Sequence, residues 1–129
     1  MAKTYVPMLI EKVDLVASDA AGGVFAWQNH HNEAVLVTRV VIDLTTAATG
    51  AGTLDVGMTA TSAATSADNL IDGLNVNAAT GVFDNVENQG TNGTGAQKVA
   101  AGKWVTASKA TGNMAGIVGA AFIHYHLLG

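Results

Sequence analysis

The stretch Glu33-Ala-Val-Leu-Val-Thr-Arg-Val-Val-Ile-Asp-Leu-Thr-Thr46 decides the fold. β-Branched side chains are restricted at χ1 and pack well on a pleated surface, so a run this dense in valine, isoleucine and threonine reads as a strand. Within it Leu36, Thr38, Val40, Ile42 and Leu44 alternate with Val35, Val37, Arg39, Val41 and Asp43, which gives one buried face and one mixed face.

Working outward, Ala47-Ala-Thr-Gly-Ala-Gly52 interrupts the alternation and Thr53-Leu-Asp-Val-Gly-Met-Thr59 resumes it, a pattern that predicts a hairpin with the first strand. Upstream, Met8 and Ile10 share one parity while Val13 and Leu15 share the other, so a bulge near Glu11-Lys12 is expected. Gly22-Gly23 then leads into the short aromatic strand Val24 to Trp27. Lys98 to Ser108 reads as a strand entered through Gly102, with Lys109 to Asn113 as its turn. From Met114 to Leu128 both parities are apolar, as in a central strand covered on two faces, with Gly116 and Gly119 suited to a bend or close backbone approach. Between these, Ser62 to Gln97 is dominated by Gly, Asn, Asp and Thr, with apolar anchors such as Leu70, Leu74 and Phe83. Ser66 or Asp68 can cap a brief helical turn there, and no apolar spacing supports a full helix. The expected fold is therefore all-β, a jelly roll or β-sandwich of about six to eight short antiparallel strands with one long ordered loop region and almost no helix.

Composition narrows the function. The chain has 129 residues, room for one domain, read as a possible extended arm over residues 1–10 and a single sandwich over 11–129. Charged residues make up 12%, about half the usual share, while the hydrophobic class reaches 49%. Depletion of charge is a feature of interface cores, so much of this surface is expected to be covered by partners. Net charge is −4, and the six basic residues, Lys3, Lys12, Arg39, Lys98, Lys103 and Lys109, are scattered, which argues against a nucleic-acid partner. With no cysteine there is neither a disulfide framework nor a thiolate metal site. The first residues lack a secretory h-region, and Met114 to Ile123 is too short to span a bilayer, so a product made in the cytoplasm with no membrane partner is expected.

Few constellations point to chemistry. His124-x-His126 places two imidazoles on one face of a strand, and His30 and His31 are further candidate ligands. The pattern resembles the strand-borne His-x-His of cupins, but the glutamate that follows in that family is replaced by Leu127, Leu128 and Gly129, so no metal is assigned. Asp68-Asn69, Asp72-Gly73 and Asn75 offer oxygen ligands but lack the alternating acids and closing glutamate of a calcium loop, and Asx-turn and capping roles explain them without a metal. Trp27 and Trp104 form either a sugar-stacking platform or part of a small β core. No nucleophile stands beside a base, so neither an enzyme nor a cofactor is expected.

The phrases Val40-Val-Ile-Asp-Leu-Thr-Thr46, Gly52-Thr-Leu-Asp-Val-Gly57, Ala67-Asp-Asn-Leu-Ile-Asp-Gly73, Ala79-Thr-Gly-Val-Phe-Asp84 and Gly116-Ile-Val-Gly-Ala-Ala-Phe-Ile-His-Tyr125 resemble the small jelly-roll proteins that decorate or cement the capsids of tailed bacteriophages. That resemblance implies a structural virion protein on the outer capsid surface, a homotrimer bound to the major capsid protein lattice. Under it, Trp27, Phe122, His124 and His126 are the expected trimer contact, and Lys3, Tyr5 and Pro7 the expected capsid contact. The alternative is a carbohydrate-binding jelly roll in a head fibre or tail adhesion component.

Overall fold

The computed structural model describes residues 5–63 and 67–129. Among them the chain forms nine strands and no helix: β1 (Leu9–Asp14), β2 (Phe25–Gln28), β3 (Val35–Thr46), β4 (Gly52–Thr59), β5 (Ile71–Asn75), β6 (Gly81–Asp84), β7 (Gln97–Val99), β8 (Trp104–Gly112) and β9 (Val118–Leu127). Ser66, one of the two candidate helix caps, lies outside the described residues, and Asp68 precedes a bend and the strand β5 rather than a helical turn. One sheet runs β1-β9-β3-β6, with β7 also paired to β3; the other runs β2-β8-β4-β5. Every pairing is antiparallel. Setting β7 aside, this is the double Greek-key order of a jelly roll, as the alternation and turn chemistry predict.

Strand β3 is long enough to serve two short partners on one edge, β7 at Val35–Val37 and β6 at Val41–Leu44, while β9 pairs along its other edge. Its inward set changes parity. Val35 and Val37 are buried, then Val40, Ile42 and Leu44, because the β3–β9 ladder shifts register between Val37 and Arg39. A bulge adds one residue and so switches the face that alternation presents. In the gap between β7 and β6 the Val40 N–H has no strand partner, and the fully buried side chain of Asn85 accepts from it at 2.8 Å. A bulge therefore falls in β3 rather than in β1, whose register with β9 is unbroken from Leu9↔Tyr125 to Asp14↔Ala120. Leu9, Glu11 and Val13 consequently face inward, and Ile10 stays exposed.

Two further expectations change. Strands β3 and β4 do not form a hairpin, since the residues between them carry the chain from one sheet to the other. Both strands have an apolar row to bury, and facing each other across the core buries both rows at once. Likewise Lys98 to Ser108 is two strands: β7 ends at Val99, the chain turns through Gly102 at φ 78°, and β8 begins in the opposite sheet.

The core is continuous between the sheets. Leu54, Val56, Ile71, Phe25, Trp27 and Val105 meet Val35, Ile42, Leu44, Ile123 and Tyr125. Each fully buried aliphatic side chain is worth roughly 1.5–3 kcal/mol, whereas an exposed ion pair contributes about 1 kcal/mol or less, so packing dominates in a chain this poor in charge. The outer face of the β2-β8-β4-β5 sheet is buried as well, but with polar residues: Asp55, Thr59, Thr106 and Ser108. Gly22 donates its N–H to Ser108 Oγ at 2.7 Å and Ala67 lies against Gly57, so two of the chain's loops cover this face, while Asp55 Oδ1 accepts from the Gly73 N–H of the neighbouring strand β5 at 2.9 Å.

Close packing yields two expectations. A Cβ on Gly119 meets the Asp43 carbonyl oxygen at 2.0 Å, so Gly119→Ala forces β9 away from β3; chemical denaturation should show a loss of about 1–3 kcal/mol. At Asp55, burial pushes the carboxyl above the usual aspartate range, the Gly73 N–H pulls it partly back, and Asp72 and Asp68 add to the rise. A raised carboxyl favours the folded state when protonated, and that advantage is lost as pH rises through the folded-state pKa. Asp55→Asn keeps an acceptor for Gly73 without the charge, so its Tm should exceed that of the parent at pH 7 and converge with it in acid. An unchanged gap across that range would rule out the buried charge as its cause.

Candidate functional site

Among the described residues the outer face of the β1-β9-β3-β6 sheet is open, unlike its counterpart. Directly opposed residues in antiparallel strands share a face, so the register builds it row by row. Ile10, His124 and Arg39 form one row; Lys12, Phe122, Val41 and Asp84 form the next. Below them come Asp14, Ala120, Asp43 and Val82. Phe122, His124, His126 and Val41 are half-buried, while Ile10 is 56% and Val82 68% exposed. Within this face Arg39 Nη2 donates to Asp84 Oδ2 at 2.8 Å, joining β3 to β6. Burial alone raises the Asp84 carboxyl, but the Glu87 and Val86 N–H groups and Arg39 outweigh it and hold it below the ordinary range. His124 is held below the usual histidine value by burial and by the Arg39 charge, which favours a neutral ring.

Three of the residues expected at a subunit contact thus share this face, Phe122, His124 and His126, as the period-2 spacing requires. Trp27 is not with them: it lies in the core at 5% exposure, its ring centroid 5.0 Å from that of Tyr125. Tyr5 is 87% exposed and Pro7 exposed, both ahead of β1, and Lys3 lies outside the described residues. Met8 approaches the Thr38 hydroxyl at 3.9 Å, so its side chain reaches past β9 to β3.

His30 and His31 join a different group. At the edge where β1 and β2 close the sandwich, the Glu11 carboxylate accepts from His30 Nε2 at 3.1 Å, and Tyr125 donates its hydroxyl to the same carboxylate. His31 Nε2 lies 2.9 Å from that hydroxyl. One ligand-type atom from each of Glu11, His30 and His31 lies within 4.8 Å of the others. Burial raises the Glu11 carboxyl, yet hydrogen bonding from Tyr125, His30 and Trp27 and the nearby His30 ring prevail and lower it. Burial and the Glu11 carboxylate push the Tyr125 phenol well up, so it remains a neutral donor. Asn29 builds the turn that presents the two imidazoles. Its buried side chain accepts from the His31 N–H at 3.0 Å and donates to the Glu33 and Val99 carbonyls. Sequence reasoning missed Glu11 and Tyr125 as partners of these histidines; the available signal was an acid on the inward parity of an edge strand.

At the opposite edge, between β5 and β6, a cleft of about 330 Å³ is lined by Asp72, Asn75, Phe83 and Asn88 among others. The acids and amides nearby hold backbone: Asn69 Oδ1 accepts from the Met58 N–H at 2.8 Å, Asp72 from the Asn92 N–H at 3.1 Å, and Asn75 from those of Asn77 and Ala78. Trp27 and Trp104 form no platform, because Trp27 pairs with Val105 and Trp104 with Gln28, which puts the indoles on opposite faces of the sheet.

No family model matches the sequence, and no curated protein does. Among solved structures, a chain from the capsid of Ralstonia phage GP4 is similar over 99% of this chain and 92% of its own, with a TM-score of 0.61 and 23% sequence identity. At that identity the likeness is one of fold: the jelly-roll sandwich described here is also found in a phage capsid.

Proposed function

We propose that this chain is a structural virion protein that decorates and stabilises a phage capsid, trimerising and binding the major capsid protein lattice from the outer surface, without catalysis. The observation that carries the reading is the contrast between the two outer faces. One is sealed by the chain's own loops through buried threonine, serine and aspartate, whereas the other presents Ile10, Val41, Phe122 and Val82 around one ion pair. A flat sheet with apolar side chains ringed by a few charges suits burial by another subunit. The fold shared with a chain of a phage capsid supports the same setting.

In this reading Phe122, His124 and His126 lie at the contact between copies. Trp27, in the core, supports the contact only through Tyr125, the neighbour of His124 and His126 on β9. Lys3, Tyr5 and Pro7 belong to an arm that reaches the capsid lattice. Aromatic and aliphatic anchors supply the buried area, and the scattered charges set register.

A second reading has one observation in its favour. The cleft beside Phe83 combines an aromatic ring with Asp72, Asn75 and Asn88, a combination that suits a sugar, and would make the chain a carbohydrate-binding module of a head fibre or tail adhesion component.

Light scattering should give three times the chain mass of 13.1 kDa, and the protein should co-sediment with undecorated capsids. Val82→Asp and Ile10→Asp, both at exposed positions, should weaken assembly at least tenfold while leaving the thermal midpoint of the isolated chain nearly unchanged. A monomer that ignores capsids yet gains thermal stability from soluble glycans would overturn the decoration reading in favour of the second.

A further inference from the structure

The sandwich edge between β1 and β2 brings together a ligand set that the decoration role does not use. Glu11 projects from an edge strand of one sheet, and His30 and His31 follow the edge strand of the other. Two imidazoles and a carboxylate are a familiar donor set for zinc, which binds nitrogen and carboxylate oxygen at about 2.0–2.2 Å. Ligands around one such ion stand roughly 3–3.6 Å apart, and His30 Nε2 already lies 3.1 and 3.2 Å from the two Glu11 oxygens. A ring nitrogen of His31, the third donor, is within 4.8 Å of the others. The two histidines sit on a turn already organised by buried Asn29.

The surroundings are those of a supported ligand rather than a loose surface pair. Tyr125, 2% exposed, donates its hydroxyl to Glu11, and Trp27 is buried against the Tyr125 ring. A carboxylate that turns one oxygen to a metal keeps the other for such donors, the arrangement that orients ligating carboxylates generally. His30 is exposed, which leaves a route for the ion and an open fourth position for water or a partner's side chain.

We propose that Glu11, His30 and His31 bind one divalent transition-metal ion, zinc by preference, which clamps the two sheets at their β1/β2 edge. Among the described residues β1 is paired only with β9 and β2 only with β8, so a bond across this edge ties together two strands that otherwise meet through a few side chains. The role is structural and independent of whether the chain sits on a capsid.

The test uses the full chain, dialysed against a chelator and titrated with zinc sulfate, with cobalt as a spectroscopic probe. The expected result is one ion per chain, a visible cobalt spectrum of low coordination number, and a Tm raised by roughly 5 °C or more at saturating zinc. His30→Ala and His31→Ala should each weaken binding by more than about tenfold, and His124→Ala, on the open outer face, should leave it unchanged. Glu11→Gln, which keeps an acceptor for Tyr125, guards against simple misfolding. Two outcomes overturn the proposal: zinc leaves the Tm where it was, meaning that the group is a hydrogen-bond network only, or stoichiometric zinc persists in the His30/His31 double variant.

Discussion

The β3–β9 ladder is the contact on which the rest of the molecule depends. It joins the longest strand to the most apolar one, and every other strand of that sheet is attached to one of the two: β1 to β9, and β6 and β7 to β3. The bulge between Val37 and Arg39 is part of the design. It lets one strand bury Val35 and Val37 at one end and Val40, Ile42 and Leu44 at the other, and it twists the strand locally so that two short partners share one edge. Gly119 completes the ladder by omitting a side chain where the Asp43 carbonyl comes close.

From this spine follows a division of labour between the faces. The second sheet is covered outside by loops, and the polar contacts of Ser108 with Gly22 and of Asp55 with Gly73 of β5 replace water for buried groups. Among the described residues the first sheet has no such covering. Its outer face mixes Phe122, Val41 and Ile10 with Lys12, Arg39 and Asp84, apolar enough to gain from burial and charged enough to choose an orientation. Low overall charge, otherwise a liability for a free surface, fits a molecule that meets neighbours over this face.

The two open edges carry what chemistry the chain has. At one, β5 and β6 leave a cleft beside Phe83; at the other, β1 and β2 bring Glu11, His30, His31 and Tyr125 into one hydrogen-bonded group. Jelly rolls expose such edges because their sheets do not close into a barrel. Side chains rather than ladder bonds must seal them, and asparagines do much of it. Asn29 shapes the histidine turn, Asn85 satisfies Val40, and Asn69 satisfies Met58.

Read alone, the sequence determined that the chain is all-β, that Glu33 to Thr46 and Met114 to Leu128 hold its principal strands, and that His124 and His126 share a face. Each of these rests on local alternation and β-branched density, which a chain carries within a few residues. It did not determine the phase change inside β3, because a bulge is specified by the partner strand and by a distant side chain, Asn85. Nor did it separate β3 from β4, since two apolar rows joined by a short Gly-rich link suit a hairpin and a crossing between layers equally well. The Glu11–His30–His31–Tyr125 group was invisible for the same reason. Its members come from β1, the turn after β2 and β9, and Tyr125 lies between His124 and His126 in sequence but on the opposite side of the sheet. Only the stacking of one sheet on the other placed that hydroxyl against Glu11 and His31, because proximity across a core depends on the whole set of strand pairings and not on any one segment.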